Sequence, residues 1–257
     1  MRFDVITIFP ELFASFLSES LMAKAIEKKI IEVRLSSPRD FTSDRHHTAD
    51  DRPYGGGPGM VLKPEPMAAA IEAVSRGPAR PWRIFLSPSG TRLNQSRVRE
   101  LSRLDSLILI CGRYEGLDQR VIDLLADEEI SIGDYVVNGG EVPAMVLMEA
   151  VARLLPGFMG KSQSAEEESH QGGLLEYPHY TRPPEFRGFL VPEPLLSGNH
   201  KAVREWRLKR ALAKTLALRP ELLAGADLSA EALKALSRLN SPEPVSSKVR
   251  KSKTEGV

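Results

Sequence analysis

The stretch from Leu107 to Leu155 constrains the fold most, because it contains two apolar runs that each end at glycines and then lead into a helical pattern. The runs at 107–111 and 130–137 have the length and apolar character of buried strands. The segments that follow them, 117–125 and 142–155, carry apolar residues at helical spacing. Alternating strands and helices predict an α/β fold with a parallel sheet that is covered on both faces.

The chain before Leu107 continues this alternation. A polar, glycine-rich connection from Arg39 to Lys63 interrupts it, and a loop of that length inside a compact domain is usually functional or disordered. Apolar runs and helical spacing in the remaining segments predict strands at Phe3–Phe9, Ile30–Leu35 and Arg83–Ser87, and helices at Glu11–Lys28, Pro64–Arg76 and Ser96–Leu104.

The chain is long enough, at 257 residues, for one large domain and a smaller one. The proline and glycine density of Pro156–Gly188 predicts a linker, and the segments Asn199–Leu218 and Ser229–Leu239 predict helices. We therefore expect an α/β domain at 1–160, a linker at 161–188, a small helical domain at 189–240 and a disordered basic tail at 241–257.

The composition excludes several classes of protein. Apolar residues make up 42% of the chain and the formal net charge is +1, as in an ordinary soluble globular protein. The lone cysteine, Cys111, excludes a disulfide framework and a multi-cysteine zinc site. Asp4 and Glu11 interrupt what would have to be an apolar signal peptide, and Glu149 and Arg153 interrupt the most apolar helix. We expect a cytoplasmic protein that does not span a membrane.

The glycine breaks at the ends of the two runs predict a ligand site. They read CGRYEG (Cys111–Gly116) and IGDYVVNGG (Ile132–Gly140), and ligands of open α/β sheets lie beyond the carboxyl ends of the strands. Glycines there let backbone groups approach a ligand closely, although they are equally typical of simple turns. Neither segment has the glycine spacing of a dinucleotide fold or the lysine of a P-loop, which disfavours a nucleotide-binding oxidoreductase.

Five segments of the chain form a set of motifs: Asp51–Met60, Leu86–Gly90, Cys111–Gly116, Ser131–Met145 and Gly173–Pro183. Together they resemble the bacterial tRNA (guanine-N1)-methyltransferase family, and they occur in that family's order. This resemblance implies a SPOUT-type α/β fold with a C-terminal trefoil knot, S-adenosyl-L-methionine as methyl donor and tRNA as substrate. It also implies a homodimer with the active site at the subunit interface, and the guanosine at position 37, 3′ of the anticodon, as target.

The resemblance also implies which residues surround the donor, because in that family the donor lies in the knot. The matching positions here are Leu86, Ser87, Gly112, Tyr114, Glu115, Ile132, Gly133, Asp134, Tyr135, Val136, Val137, Gly139, Gly140 and Pro143.

Guanine N1 carries a proton, so methylation needs a base at N1 and a positive group near O6, where negative charge develops. The family's base is an aspartate, and its matching position here holds Glu168, with Glu166, Glu167 and Glu176 as alternative carboxylates. Arg153 matches the family's arginine near O6. Its alternative role is an ion pair with Glu149, which would stabilise a helix by only about 0.2–0.5 kcal/mol.

Residues that we expect to contact tRNA lie in three places. Asp50 and Arg52 lie just before the glycines of a loop that either contacts tRNA, closes over the site or is a plain surface loop. The loop at Gly173–Pro183 contributes Glu176 and His179, and a basic helix contributes Lys201, Arg207, Lys209 and Arg210. The sequence shows no ligand set for a metal, so we expect any Mg²⁺ to lack a dedicated protein site. The departure at Glu168 leaves open an alternative function, a non-catalytic RNA-binding module that retains the knotted fold.

Overall fold

The computed structural model describes residues 1–76, 80–159, 173–226 and 228–240. The chain divides into two compact units, Met1–Ala165 and Glu166–Val257. The boundary between them falls inside the segment that we predict to be a linker.

The first unit is built on a parallel sheet, which confirms the predicted α/β class. The strands of this unit are β1 (Arg2–Ile6), β2 (Glu32–Ser36), β3 (Asp50–Asp51), β4 (Val61–Leu62), β5 (Trp82–Arg92), β6 (Ser106–Cys111) and β7 (Glu128–Ser131). Five of them form the sheet in the order β2-β1-β6-β5-β7, and every neighbouring pair is parallel. A separate antiparallel pair, β3 and β4, lies within the predicted loop at 39–63.

Helices cover both faces of this sheet. They are α1 (Ala14–Ser18), α2 (Ser20–Glu27), α3 (Pro64–Val74), α4 (Gln95–Leu101), α5 (Gln119–Leu125) and α6 (Glu141–Ala152), with 3-10 turns at Pro10–Phe13 and Pro38–Phe41.

The central strand β6 is buried along its whole length and divides the core into two layers. Leu107 and Leu109 belong to the layer that contains Leu147 of α6, whereas Ile108 and Ile110 belong to the layer that contains Met67 of α3. Successive side chains of a strand point to opposite faces, so an uninterrupted apolar run is what a strand between two helical layers requires.

Several predicted boundaries are wrong in informative ways. The single helix predicted at Glu11–Lys28 is split into a 3-10 turn, α1 and α2, because Glu19 adopts an extended conformation between the two helices. The strand predicted at Ile130–Val137 ends at Ser131, since Gly133 has a φ of +154° and its amide donates to the Ser131 hydroxyl. Residues 132–140 therefore form a loop, and the next helix begins at Glu141.

The second unit contains a hairpin followed by helices. Its elements are β8 (Glu185–Phe186), β9 (Phe189–Leu190), α7 (Glu193–Leu196), α8 (His200–Leu218), a 3-10 turn at Pro220–Gly225 and α9 (Ala230–Asn240). Asn199 caps α8, because its side-chain oxygen accepts from the amides of Lys201 and Ala202.

Part of the predicted linker packs on α8. The Leu175 amide donates to the Thr215 hydroxyl at 2.9 Å, and Lys214 Nζ donates to the Glu176 carbonyl at 3.0 Å. Residues around 175 therefore belong to the structure of the second unit. No helix among the described residues is long and apolar enough to cross a membrane.

Candidate active site

A cleft of about 330 Å³ lies at the carboxyl ends of β5, β6 and β7. Residues 85–89, 112–117 and 135–140 form most of its walls, and Pro143 of α6 lies beside them. This is the edge of a parallel sheet at which ligands of α/β proteins bind.

Most of the residues that we predict to surround the donor line this cleft. Gly133 and Asp134 do not, because Gly133 forms the turn that ends β7 and Asp134 pairs on the surface with Arg92 at 3.0 Å. The predicted residues in the lining are Leu86, Ser87, Gly112, Tyr114, Glu115, Ile132, Tyr135, Val136, Val137, Gly139, Gly140 and Pro143.

The glycines of the cleft have a steric role beyond making turns. The Gly140 amide donates to the Gly112 carbonyl at 2.8 Å, so two backbone segments run in contact. A methyl group on Gly140 would lie 2.6 Å from the Cys111 Cα, and one on Gly139 would lie 2.4 Å from Arg113 Nε. Glycine at both positions therefore lets residues 139–140 lie this close to residues 111–113.

The glycine-rich loop before β4 packs on the rim of the same cleft. The Glu115 amide donates to the Met60 carbonyl and the Leu62 amide donates to the Gly116 carbonyl, both at 2.9 Å. A methyl group on Gly59 would lie 2.3 Å from the Glu115 carboxylate. The end of this loop therefore borders the cleft through its contacts with Glu115 and Gly116.

Cys111 lies at the base of the cleft wall and is a free, buried thiol. Burial raises its pKa well above the ordinary value, and the nearby Glu141 carboxylate adds to that rise. A thiol in this environment stays protonated and unreactive.

The residues predicted to act on guanine are not found among the described residues of the cleft lining. Arg153 is half-buried at the C-terminal end of α6, where its amide donates to the Glu149 carbonyl. Glu168 and its neighbour Glu167 lie outside the described residues. In the second unit, Glu176 accepts a hydrogen bond from His179 Nε2 at 2.7 Å.

The predicted tRNA contacts are spread over both units. In the first unit, Asp50 lies in β3 and Arg52 follows it, exposed. On α8, Lys201, Lys209 and Arg210 are exposed, whereas Arg207 is half-buried with its guanidinium 4.8 Å from the centre of the Tyr177 ring.

One polar cluster at the cleft is absent from the sequence-based predictions. Glu141, which is almost fully buried, accepts hydrogen bonds from Thr7 and Arg113. Glu141 does give a signal in the sequence, because it is a charged residue at the start of the most apolar helix. The prediction from the sequence names only Glu149 and Arg153 as charged residues in that helix. Among the described residues, no group of three or more His, Cys, Asp and Glu side chains could hold a metal ion.

The sequence model of the family described as tRNA (Guanine-1)-methyltransferase TrmD matches residues 1–225, a range that contains the whole cleft. The chain belongs to this family. A tRNA (guanine-N(1)-)-methyltransferase of Carboxydothermus hydrogenoformans is 54% identical over 231 residues, covering 90% of each chain. Proteins of the same name are 53% identical in Geotalea uraniireducens, covering 90% of this chain and 93% of the relative, and 50% identical in Desulfitobacterium hafniense, covering 95% and 92%.

The match to the tRNA (guanine-1)-methyltransferase family model covers the sheet, the cleft and α8. The match therefore extends well beyond the five short segments that carry the resemblance in the sequence.

Proposed function

We propose that this chain, as a tRNA (guanine-N1)-methyltransferase, transfers a methyl group from S-adenosyl-L-methionine to N1 of the guanosine at position 37, 3′ of the anticodon. The observation that carries the proposal is the family match over residues 1–225, which includes every residue of the cleft. That the relatives are named as methyltransferases favours catalysis over a non-catalytic RNA-binding module.

The chemistry of the cleft suits this donor. Leu86, Ile132 and Val137 offer apolar surface to an adenine ring, and Gly112 and Gly139 have no side chains that would keep a ligand away from the backbone. When bound, S-adenosyl-L-methionine supplies an electrophilic methyl group on a positively charged sulfonium. The carboxylate of Glu115 in the lining has the charge to attract that cation and the donor's amino group.

The remaining chemistry falls to residues other than those of the described lining. In our proposal Glu168 removes the N1 proton of guanine as a general base. Arg153 stabilises the negative charge that develops on O6 as the methyl group arrives. Glu167 and Glu176 are the alternative bases, and the hydrogen bond from His179 would hold Glu176 in a fixed orientation.

We further propose a trefoil knot and a homodimer. The close backbone contact between Gly112 and Gly140 supports a knot, because it brings the loop after β7 against the loop after β6. On α6, Val142 and Val146 are 55% and 43% exposed and lie one helical turn apart. Apolar residues in such a position are typical of a surface that a second subunit covers, and a second subunit would bring its own base to this cleft.

The basic side of α8 supports tRNA binding in the second unit. Lys201, Lys209 and Arg210 are exposed, and Glu205 is the only acidic residue of the helix. Cations in this density suit a phosphate backbone. We place the protein in the cytoplasm with its substrate, and we expect any Mg²⁺ to be held largely by substrate phosphates and water, without a dedicated protein site.

One assay tests this function. The chain is incubated with labelled S-adenosyl-L-methionine and tRNA transcripts that carry either guanosine or adenosine at position 37. We expect label on N1 of the guanosine transcript and none on the other. Equal labelling of both transcripts would contradict the proposed target, and no labelling of either would contradict catalysis.

A further inference from the structure

A chain of hydrogen bonds connects three segments that lie far apart in the sequence. Thr7, directly after β1, is fully buried and donates its hydroxyl proton to Glu141 Oε1 at 2.8 Å. The Phe9 amide in turn donates to the Thr7 hydroxyl at 3.0 Å. The end of β1 is thereby attached to the first residue of α6.

Arg113 completes this cluster from the loop after β6. Its Nε donates to Glu141 Oε2 at 2.8 Å, and its Nη1 lies 3.4 Å from the Asn138 carbonyl oxygen. Its guanidinium also stacks over the Phe9 ring, 4.7 Å from the ring centre. Both oxygens of the Glu141 carboxylate are therefore used, and the arginine has partners on three segments.

The position of the cluster relates it to the cleft. Arg113 and Asn138 belong to two neighbouring segments of the lining, which pair through an isolated antiparallel bridge between Arg113 and Gly139, whereas Glu141 and Thr7 are not part of the lining. Gly140, directly before Glu141, brings its backbone against Cys111 and Gly112. Moving Glu141 would therefore move the segment that carries this glycine.

Stability alone explains such a cluster poorly. A buried ion pair loses most of its attraction to the cost of removing both charges from water, and apolar side chains in its place are often as stable. What a paired carboxylate and guanidinium add is fixed geometry, because the forked arginine accepts few orientations. Here the geometry that is fixed is the pairing of two lining segments, 112–113 and 138–140.

We propose that Glu141, held by Thr7 and Arg113, is a positioning residue that keeps the lining segments 112–113 and 138–140 paired in the arrangement required by the methyl donor. It acts through the backbone of 138–140 and does not touch the donor. This inference rests on the proposed function for the identity of the donor.

The test compares Glu141→Gln and Thr7→Val with the unchanged protein. Calorimetric titration with S-adenosyl-L-methionine should show a donor Kd raised about ten- to hundredfold for Glu141→Gln and about threefold to tenfold for Thr7→Val, as expected for loss of a hydrogen bond to a charged group. The KM for the donor should rise in parallel. The kcat at saturating donor and the Kd for tRNA should stay close to the original values.

A matched control separates positioning from general stability. Asp127 is also a poorly exposed carboxylate paired with an arginine, Arg83, in the same sheet, but it does not line the cleft. Asp127→Asn should lower the melting temperature while the donor Kd stays unchanged.

The outcomes distinguish the two proposals. If Glu141→Gln and Thr7→Val lower the melting temperature but leave the donor Kd unchanged, the positioning role is wrong and the cluster only stabilises the fold. If Glu141→Gln does not fold, Thr7→Val, which keeps the side-chain volume, decides the question alone. If the unchanged protein neither binds the donor nor transfers a methyl group, the proposed function is wrong instead.

Discussion

Two arginine–carboxylate clusters lie at opposite edges of the same parallel sheet. At the carboxyl edge, Glu141 pairs with Arg113 next to the cleft. At the amino edge, Asp127 pairs with Arg83 at 3.0 Å and also contacts Arg80. The chemistry is the same, but the first cluster borders the cleft, whereas Asp127 and Arg83 are not part of its lining. The amino-edge pair joins the starts of β5 and β7. In our proposal the carboxyl-edge cluster instead positions the lining of a binding site, at the edge where ligands of α/β proteins bind.

The largest effect expected concerns a residue beyond both clusters. In our proposal the cleft at the carboxyl edge holds the donor, and Glu168, outside the described cleft lining, removes the N1 proton of guanine. Glu168→Gln should therefore lower kcat about a hundredfold to ten-thousandfold. Donor affinity should be unchanged, because the cleft is intact. Single-turnover transfer rates with saturating donor measure this effect. A near-normal rate would exclude Glu168 as the base, and Glu167→Gln and Glu176→Gln would then be compared.

A substitution within the carboxyl edge should have the next largest effect. Gly140→Ala places a methyl group 2.6 Å from the Cys111 Cα and 3.0 Å from the Gly112 amide nitrogen, and neither backbone atom can move easily. We expect a loss of about 1–3 kcal/mol from overpacking, together with weaker donor binding in calorimetric titration. Gly225→Ala is the control, since a methyl group there meets no atom within 4 Å. Unchanged donor affinity in Gly140→Ala would mean that the close contact between residue 140 and residues 111–112 is not critical for donor binding.

The stability that Asp127 contributes at the amino edge should depend on pH. Burial on its own raises the pKa of Asp127, but the hydrogen bonds and charges of Arg83 and Arg80 outweigh it and leave the pKa below the usual value. A lowered carboxyl pKa contributes stability above the unfolded-state pKa of about 3.9, and that stability is lost as the pH falls through the folded-state pKa.

Asp127→Asn should therefore cost about 2 kcal/mol of unfolding free energy at pH 7, and the difference from the unchanged protein should shrink below about pH 4. Urea denaturation at pH 7 and at pH 3 measures both values. A difference that is the same at the two pH values would show that the ionised carboxylate is not what stabilises this edge.

The smallest effect is expected on α8, which belongs to neither edge. Lys209→Gln and Arg210→Gln should each lower the salt dependence of tRNA binding, by a slope of about 1 for each phosphate that the variant no longer neutralises. Lys28→Gln, an exposed lysine on the amino side of the sheet, should leave the slope unchanged. Filter binding at several salt concentrations provides the slopes, and equal slopes for all three variants would remove α8 from the tRNA interface.

Apolar patterning predicted the sheet well, because β6 is buried over its whole length and is apolar from Leu107 to Cys111, which leaves little choice of structure. Patterning failed at Ile130–Val137, where an apolar run continues past the end of β7. There a positive φ at Gly133 and the hydrogen bond from its amide to the Ser131 hydroxyl end the strand. The pattern of apolar residues reveals neither feature. The extended conformation of Glu19, which divides the helix predicted at Glu11–Lys28, is likewise not visible in the pattern of apolar residues.

The donor residues were predicted from the resemblance rather than from spacing, and the Glu141 cluster was missed. Its members are separated by up to 134 residues in the sequence, so no local pattern joins Thr7 to Glu141. Only the folded sheet, which places the ends of β1 and β6 side by side, brings them together.

The most direct test of the contrast between the two edges is a crystal structure of the chain with S-adenosyl-L-methionine. We expect the adenosyl group in the cleft at the carboxyl edge, against the backbone of Gly112 and Gly140, with Glu141 behind the wall and out of contact with the donor. A donor bound elsewhere, or one in direct contact with the Glu141 carboxylate, would contradict this account.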